Sequence, residues 1–251
     1  MTKLLFPFSL LFCSLLITHP VMAKETQTTA EYQANEVLAL LDESLFDLVS
    51  SGISRVDFAN VHTELLALQP RLLSYSTQQQ AFYWQNLAIC SRQLILPSDQ
   101  VLPHIQQALS FAPKLKQQQH FKILDKAIEL AMTYQHYELL LNYIEQLRQL
   151  SKDQLDPVTL RLPEEYENLR ARALYQTGQL VEAELSLTLL IDEAEQKSSP
   201  QNVNWYSLLS SIHQTNKESD KQISVLRKQL ELFPSLNREQ YLAYLLKNET
   251  K

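Results

Sequence analysis

Two stretches of this chain superpose without a gap. Trp84-x-x-Leu87-Ala88 runs on to Ala108-Leu109-x-Phe111-x-Pro113, and Trp205-x-x-Leu208-Leu209 runs on to Leu230-x-Leu232-Phe233-Pro234. The landmarks at both ends lie 121 residues apart, and Ser98-Asp99 and Ser219-Asp220 keep the same register. A pattern that recurs with a fixed internal length marks a stacked repeat, because each unit buries its apolar face only against a neighbour.

The unit is helical. Only two glycines occur, Gly52 and Gly178. Tight hairpin turns, β-bulges and phosphate-cradling loops all depend on glycine, so few of them are available. Apolar residues fall at helical spacing instead. Trp205, Leu208, Leu209 and Ile212 form one stripe; Ile123, Ala127, Leu130, Ala131 and Tyr134 form a second. Leu180, Ala183, Leu187, Leu190 and Ile191 form a third. Pro70, Pro97, Pro113, Pro157, Pro163, Pro200 and Pro234 punctuate these runs, as a residue that starts or follows helices should. Pro103 predicts either a helix beginning near Leu102 or a kink in its first turns. Ser54-x-x-Asp57, Ser76-x-x-Gln79, Ser151-x-x-Gln154 and Asn237-x-x-Gln240 read as capping boxes. Pro163-Glu164-Glu165 reads as a first turn and Ser199-Pro200 as a cap with its first helical residue. Five hairpins follow, near 30–70, 75–113, 117–150, 160–197 and 203–234, with a closing helix near 237–248. The expected fold is all-α.

The first residues read as a leader. Lys3 precedes an apolar run from Leu4 to Ile17, and Val21-Met22-Ala23 ends it with residues that suit cleavage. This pattern predicts a secretory signal peptide over 1–23 and one domain over 24–251. The run falls short of the ~20 apolar residues of a membrane span. An exported protein, soluble in a bacterial periplasm after cleavage at about Ala23, is the expectation. Cys90 is then the single cysteine, on an apolar helix face, so no internal disulfide forms.

Chemistry finds little purchase in the sequence. Without Lys3 there are 21 basic against 28 acidic residues, dispersed, with no basic run. That composition argues against nucleic acid and against an anionic membrane surface. His62, His104, His120, His136 and His213 lack metal-ligand spacing. Carboxylates at Glu164-Glu165, Glu182 with Glu184, and Asp192-Glu193 with Glu195 fit helix starts and solvated faces better than a glycosidase pair. No Gly-x-Ser-x-Gly elbow and no P-loop occur. The reading is therefore no catalytic residue, no cofactor and no metal.

Ala171, Leu174, Gly178, Leu180, Ala183 and Leu187 resemble the tetratricopeptide repeat (TPR) pattern, in which small residues on the two helices meet and a glycine sits near the turn. Hairpins two and five look like the same motif with one extra residue in the turn. The resemblance implies a right-handed solenoid of about five antiparallel hairpins with a C-terminal capping helix. Asn204-Trp205-Tyr206-x-Leu208-Leu209, followed by Val225-Leu226-x-x-Gln229-Leu230-x-Leu232-Phe233-Pro234, also looks similar to exported TPR proteins encoded with TonB-type energy-transduction systems.

The TPR resemblance further implies that certain positions of each first helix face a ligand groove. Carried onto this sequence they are Gln85, Arg92 and Gln93; Asn168, Arg172, Tyr175 and Gln176; and Tyr206, His213 and Gln214. Tyrosine and arginine are common interface anchors. The expectation is a protein-binding scaffold of the cell envelope. A periplasmic chaperone of broad specificity and a cell-wall enzyme accessory are the alternatives.

Overall fold

The computed structural model describes residues 58–152 and 162–249, all within a compact unit that begins at Ser54. The leader, the first helix of hairpin one and the Ser54-x-x-Asp57 start lie outside these residues. Among the described residues there are ten α-helices and no strand. Helix α1 (Phe58–Leu68) is followed by a 3-10 segment, Gln69–Ser74. Four hairpins come next: α2 (Thr77–Gln93) with α3 (Ser98–Phe111), α4 (Gln117–Thr133) with α5 (Tyr137–Leu150), α6 (Glu164–Gln176) with α7 (Leu180–Gln196), and α8 (Val203–Thr215) with α9 (Ser219–Leu232). Helix α10 (Leu236–Glu249) closes the order.

Some helix starts follow the expected chemistry. Ser76 Oγ accepts from the Gln79 N–H at 3.3 Å, and the Ser76 N–H donates to Gln79 Oε1 at 3.1 Å, a reciprocal box. Pro163 caps α6, with Glu164, Glu165 and Glu167 in its first turn, where the helix dipole favours carboxylates. Two other starts differ. Ser151 ends α5, its N–H bonded to the Leu147 carbonyl, and Gln154 of its expected box lies outside the described residues. Ser199 closes α7 through a bond to the Ala194 carbonyl, and Asn202 caps α8, its Oδ1 accepting from the Asn204 N–H. Asn237 lies inside α10, which begins one residue earlier. Pro103 sits within α3, which begins at Ser98, not near Leu102.

The turns explain the missing glycines. Each first helix ends with a residue in the left-handed region: Ile95 (φ 58°), Gln135 (φ 58°), Gly178 (φ 77°) and Lys217 (φ 60°). Two bonds close each end. Leu96 N–H reaches the Ser91 carbonyl and Ile95 N–H the Arg92 carbonyl; His136, Gln179 and Glu218 repeat the longer bond to Ala131, Leu174 and His213. This is the Schellman arrangement, which satisfies carbonyls a helix end leaves open. A Cβ at Gly178 would meet nothing within 4 Å, so glycine serves only the backbone angle there.

Counting from these turns changes the repeat. Hairpins three, four and five place one residue between the left-handed residue and the second helix, whereas hairpin two places Leu96 and Pro97 there. The extra turn residue therefore belongs to hairpin two and not to hairpin five. The left-handed residues of these two hairpins lie 122 apart, not 121. Burial agrees. Tyr83 corresponds to Trp205, Leu87 to Leu209 and Cys90 to Ile212, and all six are buried. The second helices keep the spacing of 121.

The core forms two apolar clusters. One runs from Ala81 through α3, α4 and α5 to Tyr166 and Ala173; the other joins α6 to α9 around Leu187 and Trp205. Leu141 packs against both. Polar contacts show like helices side by side: Arg92 with Glu129 at 3.1 Å and Tyr166 Oη donating to Asp125 at 2.8 Å join first helices. Glu184 with Lys221 and Glu195 with Lys228 join second helices. At the end of the array, Gln222 donates to Tyr241 Oη of α10.

Candidate functional site

The first helices form one continuous run of positions, and the left-handed turns set their register. Ten, six, three and two residues before the turn lie Asn168, Arg172, Tyr175 and Gln176 in hairpin four. The same register in hairpin five holds Ser207, Ser211, Gln214 and Thr215, and in hairpin three Asp125, Glu129, Met132 and Thr133.

Seven of the ten expected residues retain surface. Gln93, Arg172, Gln176 and Gln214 are exposed; Arg92, Asn168 and Tyr175 are half-buried. Gln85, Tyr206 and His213 are 1%, 2% and 3% exposed, so they do not line an open face. For Tyr206 and His213 the reason is the one-residue difference in α8. One residue is about 100° of helix, which turns both side chains from the surface into the interior. Tyr206 packs by Phe233 in the second core cluster. Gln85 has the register of Asn168 but belongs to a helix that α1 packs along. Ser207, Ser211 and Thr215 were not visible as candidates, because only the turn residue Lys217 reveals their register.

The face divides electrostatically. Around hairpins two and three it is internally neutralised: Glu129 pairs with both Arg92 and Lys126. Around hairpin four it is not. Arg172 is exposed and makes no ion pair among the described residues, one turn from Tyr175, which packs against the second core cluster. Gln176 on the same helix, and Gln214 at the register of Tyr175 in hairpin five, add exposed amide donors and acceptors.

A buried charge cluster underlies this part of the face. Glu167 is almost wholly enclosed; its Oε1 accepts from Arg148 Nη2 at 3.0 Å and from the Leu162 N–H at 3.2 Å. Arg170 stands 4.0 Å from the other carboxylate oxygen and donates to Ser186 at 3.4 Å. Burial, then the neighbouring charge of Arg148, lowers the pKa of Arg170. Arg148 comes from α5 and Glu167 from α6, so the pair pins hairpin three to hairpin four and fixes the helix that carries Arg172 and Tyr175. A buried pair of this kind holds geometry more than it adds stability.

Other reactive groups are inert or remote. Cys90 is fully buried, and burial pushes its thiol up to about 12, so it stays protonated and unreactive. His104 stacks on Trp84, and burial, with His62 nearby, holds its pKa below the ordinary histidine value. A shallow hollow between α4 and α5, bordered by His120, Asn142, Gln146 and Leu150, brings no charged pair against a nucleophile.

No protein-family model matches the sequence, and no curated protein sequence matches it. Solved structures do. A putative kinesin light chain from Podosopora anserina with nearly identical TPR-like repeats is 13% identical, with a TM-score of 0.56 over 79% of this chain and 99% of that one. A variant of the same protein is 15% identical, with a TM-score of 0.56 over 78% of this chain and 95% of that one. MamA from Desulfovibrio magneticus is 13% identical, with a TM-score of 0.49 over 68% of this chain and 85% of that one. What this chain shares with the two kinesin light chain structures is the fold: an all-α solenoid of TPR-like hairpins.

Proposed function

We propose that this protein is a non-catalytic adaptor that binds a protein partner through the first helices of hairpins four and five. The observation that carries the reading is Arg172. Its guanidinium is exposed and has no ion-pair partner among the described residues, one turn from the half-buried Tyr175, with Asn168 and Gln176 on the same helix and Gln214 at the matching position of hairpin five. A guanidinium held this way takes a carboxylate by two parallel bonds, and a tyrosine adds apolar area at small entropic cost. The partner is accordingly a segment that presents carboxylates, either an acidic stretch or the C-terminus of a polypeptide.

The setting we propose is the bacterial cell envelope, with the protein exported and accessory to a TonB-type energy-transduction system. The leader pattern over 1–23 and the likeness of hairpin five support it. No helix among the described residues is long and apolar enough to cross a membrane.

Cross-linking whole cells that carry a C-terminally tagged copy, followed by mass spectrometry, tests the reading. One dominant envelope partner is expected. Substituting Arg172→Glu together with Tyr175→Ala should weaken its capture by about 2 kcal/mol or more, with helical circular dichroism unchanged. Capture that survives this double substitution rejects the face, and a diffuse set of unrelated clients replaces the adaptor with a chaperone.

A further inference from the structure

We propose that Glu184, His213 and Glu218 form a binding site for a divalent transition cation of zinc-like chemistry, entered by displacing the ammonium of Lys221. The three residues come from α7, the end of α8 and the cap of α9. One ligand atom from each lies within 4.8 Å of the other two. His213 Nδ1 is 2.9 Å from Glu218 Oε2 and 4.0 Å from Glu184 Oε1. Ligands placed tetrahedrally at the usual zinc distances stand roughly 3.4 Å apart. Small carboxylate rotations therefore complete the set.

The donor types select the ion. One imidazole with two carboxylates suits zinc and its neighbours, whereas calcium and magnesium prefer oxygen donors alone. Burial holds the His213 ring in place, and the carboxylates keep partial access to water. A cation already sits against both acids: Lys221 Nζ is 3.3 Å from Glu184 and 3.0 Å from Glu218. Lys221 is more than half exposed, so its ammonium swings into solvent when a stronger cation arrives. His213 binds the cation through Nδ1 as the neutral tautomer that carries its proton on Nε2, the proton exchange being with solvent. Water completes the coordination.

The sequence hides this site. Its histidines show no ligand spacing, and Glu184 precedes His213 by 29 residues. The Schellman turn at Lys217 sets Glu218 beside His213, and stacking of hairpin four on hairpin five brings in Glu184. A bound cation thus bridges these two hairpins, and its binding adds to the stability of their interface.

The test is equilibrium dialysis of the chelator-washed full-length protein against Zn2+, with Co2+ absorption as the readout of geometry. One equivalent should bind, with a tetrahedral Co2+ spectrum and a rise in Tm. His213→Gln and Glu218→Gln should each weaken binding at least tenfold; Glu218 is partly exposed, so its variant keeps the fold. Lys221→Met should tighten binding severalfold. Absence of stoichiometric uptake by both the wild type and Lys221→Met overturns the site. Uptake of unchanged affinity in His213→Gln or Glu218→Gln assigns the metal elsewhere and overturns it equally.

Discussion

Hairpins two and five carry the same landmarks and solve the interior differently. The second helix of hairpin two buries Val101 and Ala108, while the equivalent positions of hairpin five bury Gln222 and Gln229. Both glutamines donate hydrogen bonds through Nε2. Gln229 Nε2 donates to the Val203 carbonyl at 3.1 Å and to Ser207 Oγ at 2.7 Å, and Gln222 reaches Tyr241. Buried polar atoms without a hydrogen-bond partner among the described residues gather in hairpin two: Tyr83 Oη, Trp84 Nε1, Ser91 Oγ and His104 Nδ1, against Trp205 Nε1 in hairpin five. An inner unit relies on dry packing against both neighbours. The last unit, covered only by a lightly packed α10, holds itself with paired polar groups. A repeat therefore keeps its frame while the force that closes it changes with position in the stack.

The largest break in this comparison lies at the tryptophans. Trp205 is fully buried and Trp84 is only partly so. Trp205→Ala should cost about 3–5 kcal/mol, and Trp84→Ala about half of that, in urea unfolding followed by circular dichroism. Equal losses would restore the tryptophans as equivalent positions. Next comes Gln229→Ala, which removes two bonds of a buried side chain, while Ser207 Oγ still donates to the Val203 carbonyl. A loss of about 1–3 kcal/mol is expected. A neutral result would show that hairpin five is closed by packing alone.

A smaller effect separates the turns. Ile95 is β-branched, left-handed and exposed, so Ile95→Gly should stabilise the fold by about 0.5–1 kcal/mol, and Lys217→Gly by less. Gly178→Ala should lose about 1 kcal/mol in the same assay. The smallest effect concerns acid. Burial lowers the folded pKa of His104, so between that value and the unfolded one, about 6.5, only the unfolded protein takes the proton. Stability should then fall as pH drops below about 6.5. His104→Val, which copies Val225 of hairpin five, should flatten that slope in denaturation midpoints measured across pH. An unchanged slope would assign it to other groups.

Much of this architecture is legible in the sequence because helical periodicity is local. The stripes through Ile123, Leu187 and Trp205 are buried as their spacing predicts, except for Tyr134, Leu180 and Leu208, which are partly buried, and the Ser76 box forms. Helix ends are harder to read. Any residue occupies a left-handed turn when two backbone bonds close it, so Ile95, Gln135 and Lys217 carry no compositional mark. That concealment shifted the candidate face by one residue in hairpin five and put Tyr206 and His213 on the wrong side. Charges mislead for a related reason. Glu167 and Arg170 look like a solvated helix face until Arg148, from another hairpin, supplies the counter-charge.

The displaced residue between hairpins two and five has an evolutionary corollary. Counted from its tryptophan, the first helix of hairpin five reaches its turn one residue later than that of hairpin two and the following loop is one residue shorter, so total length is preserved while correspondence within the helix slips. Sequence exchanged between the two units by simple counting would graft inward-facing side chains onto the surface. Recombination among repeats should therefore succeed when crossovers fall in the second helices and fail when they fall in the first.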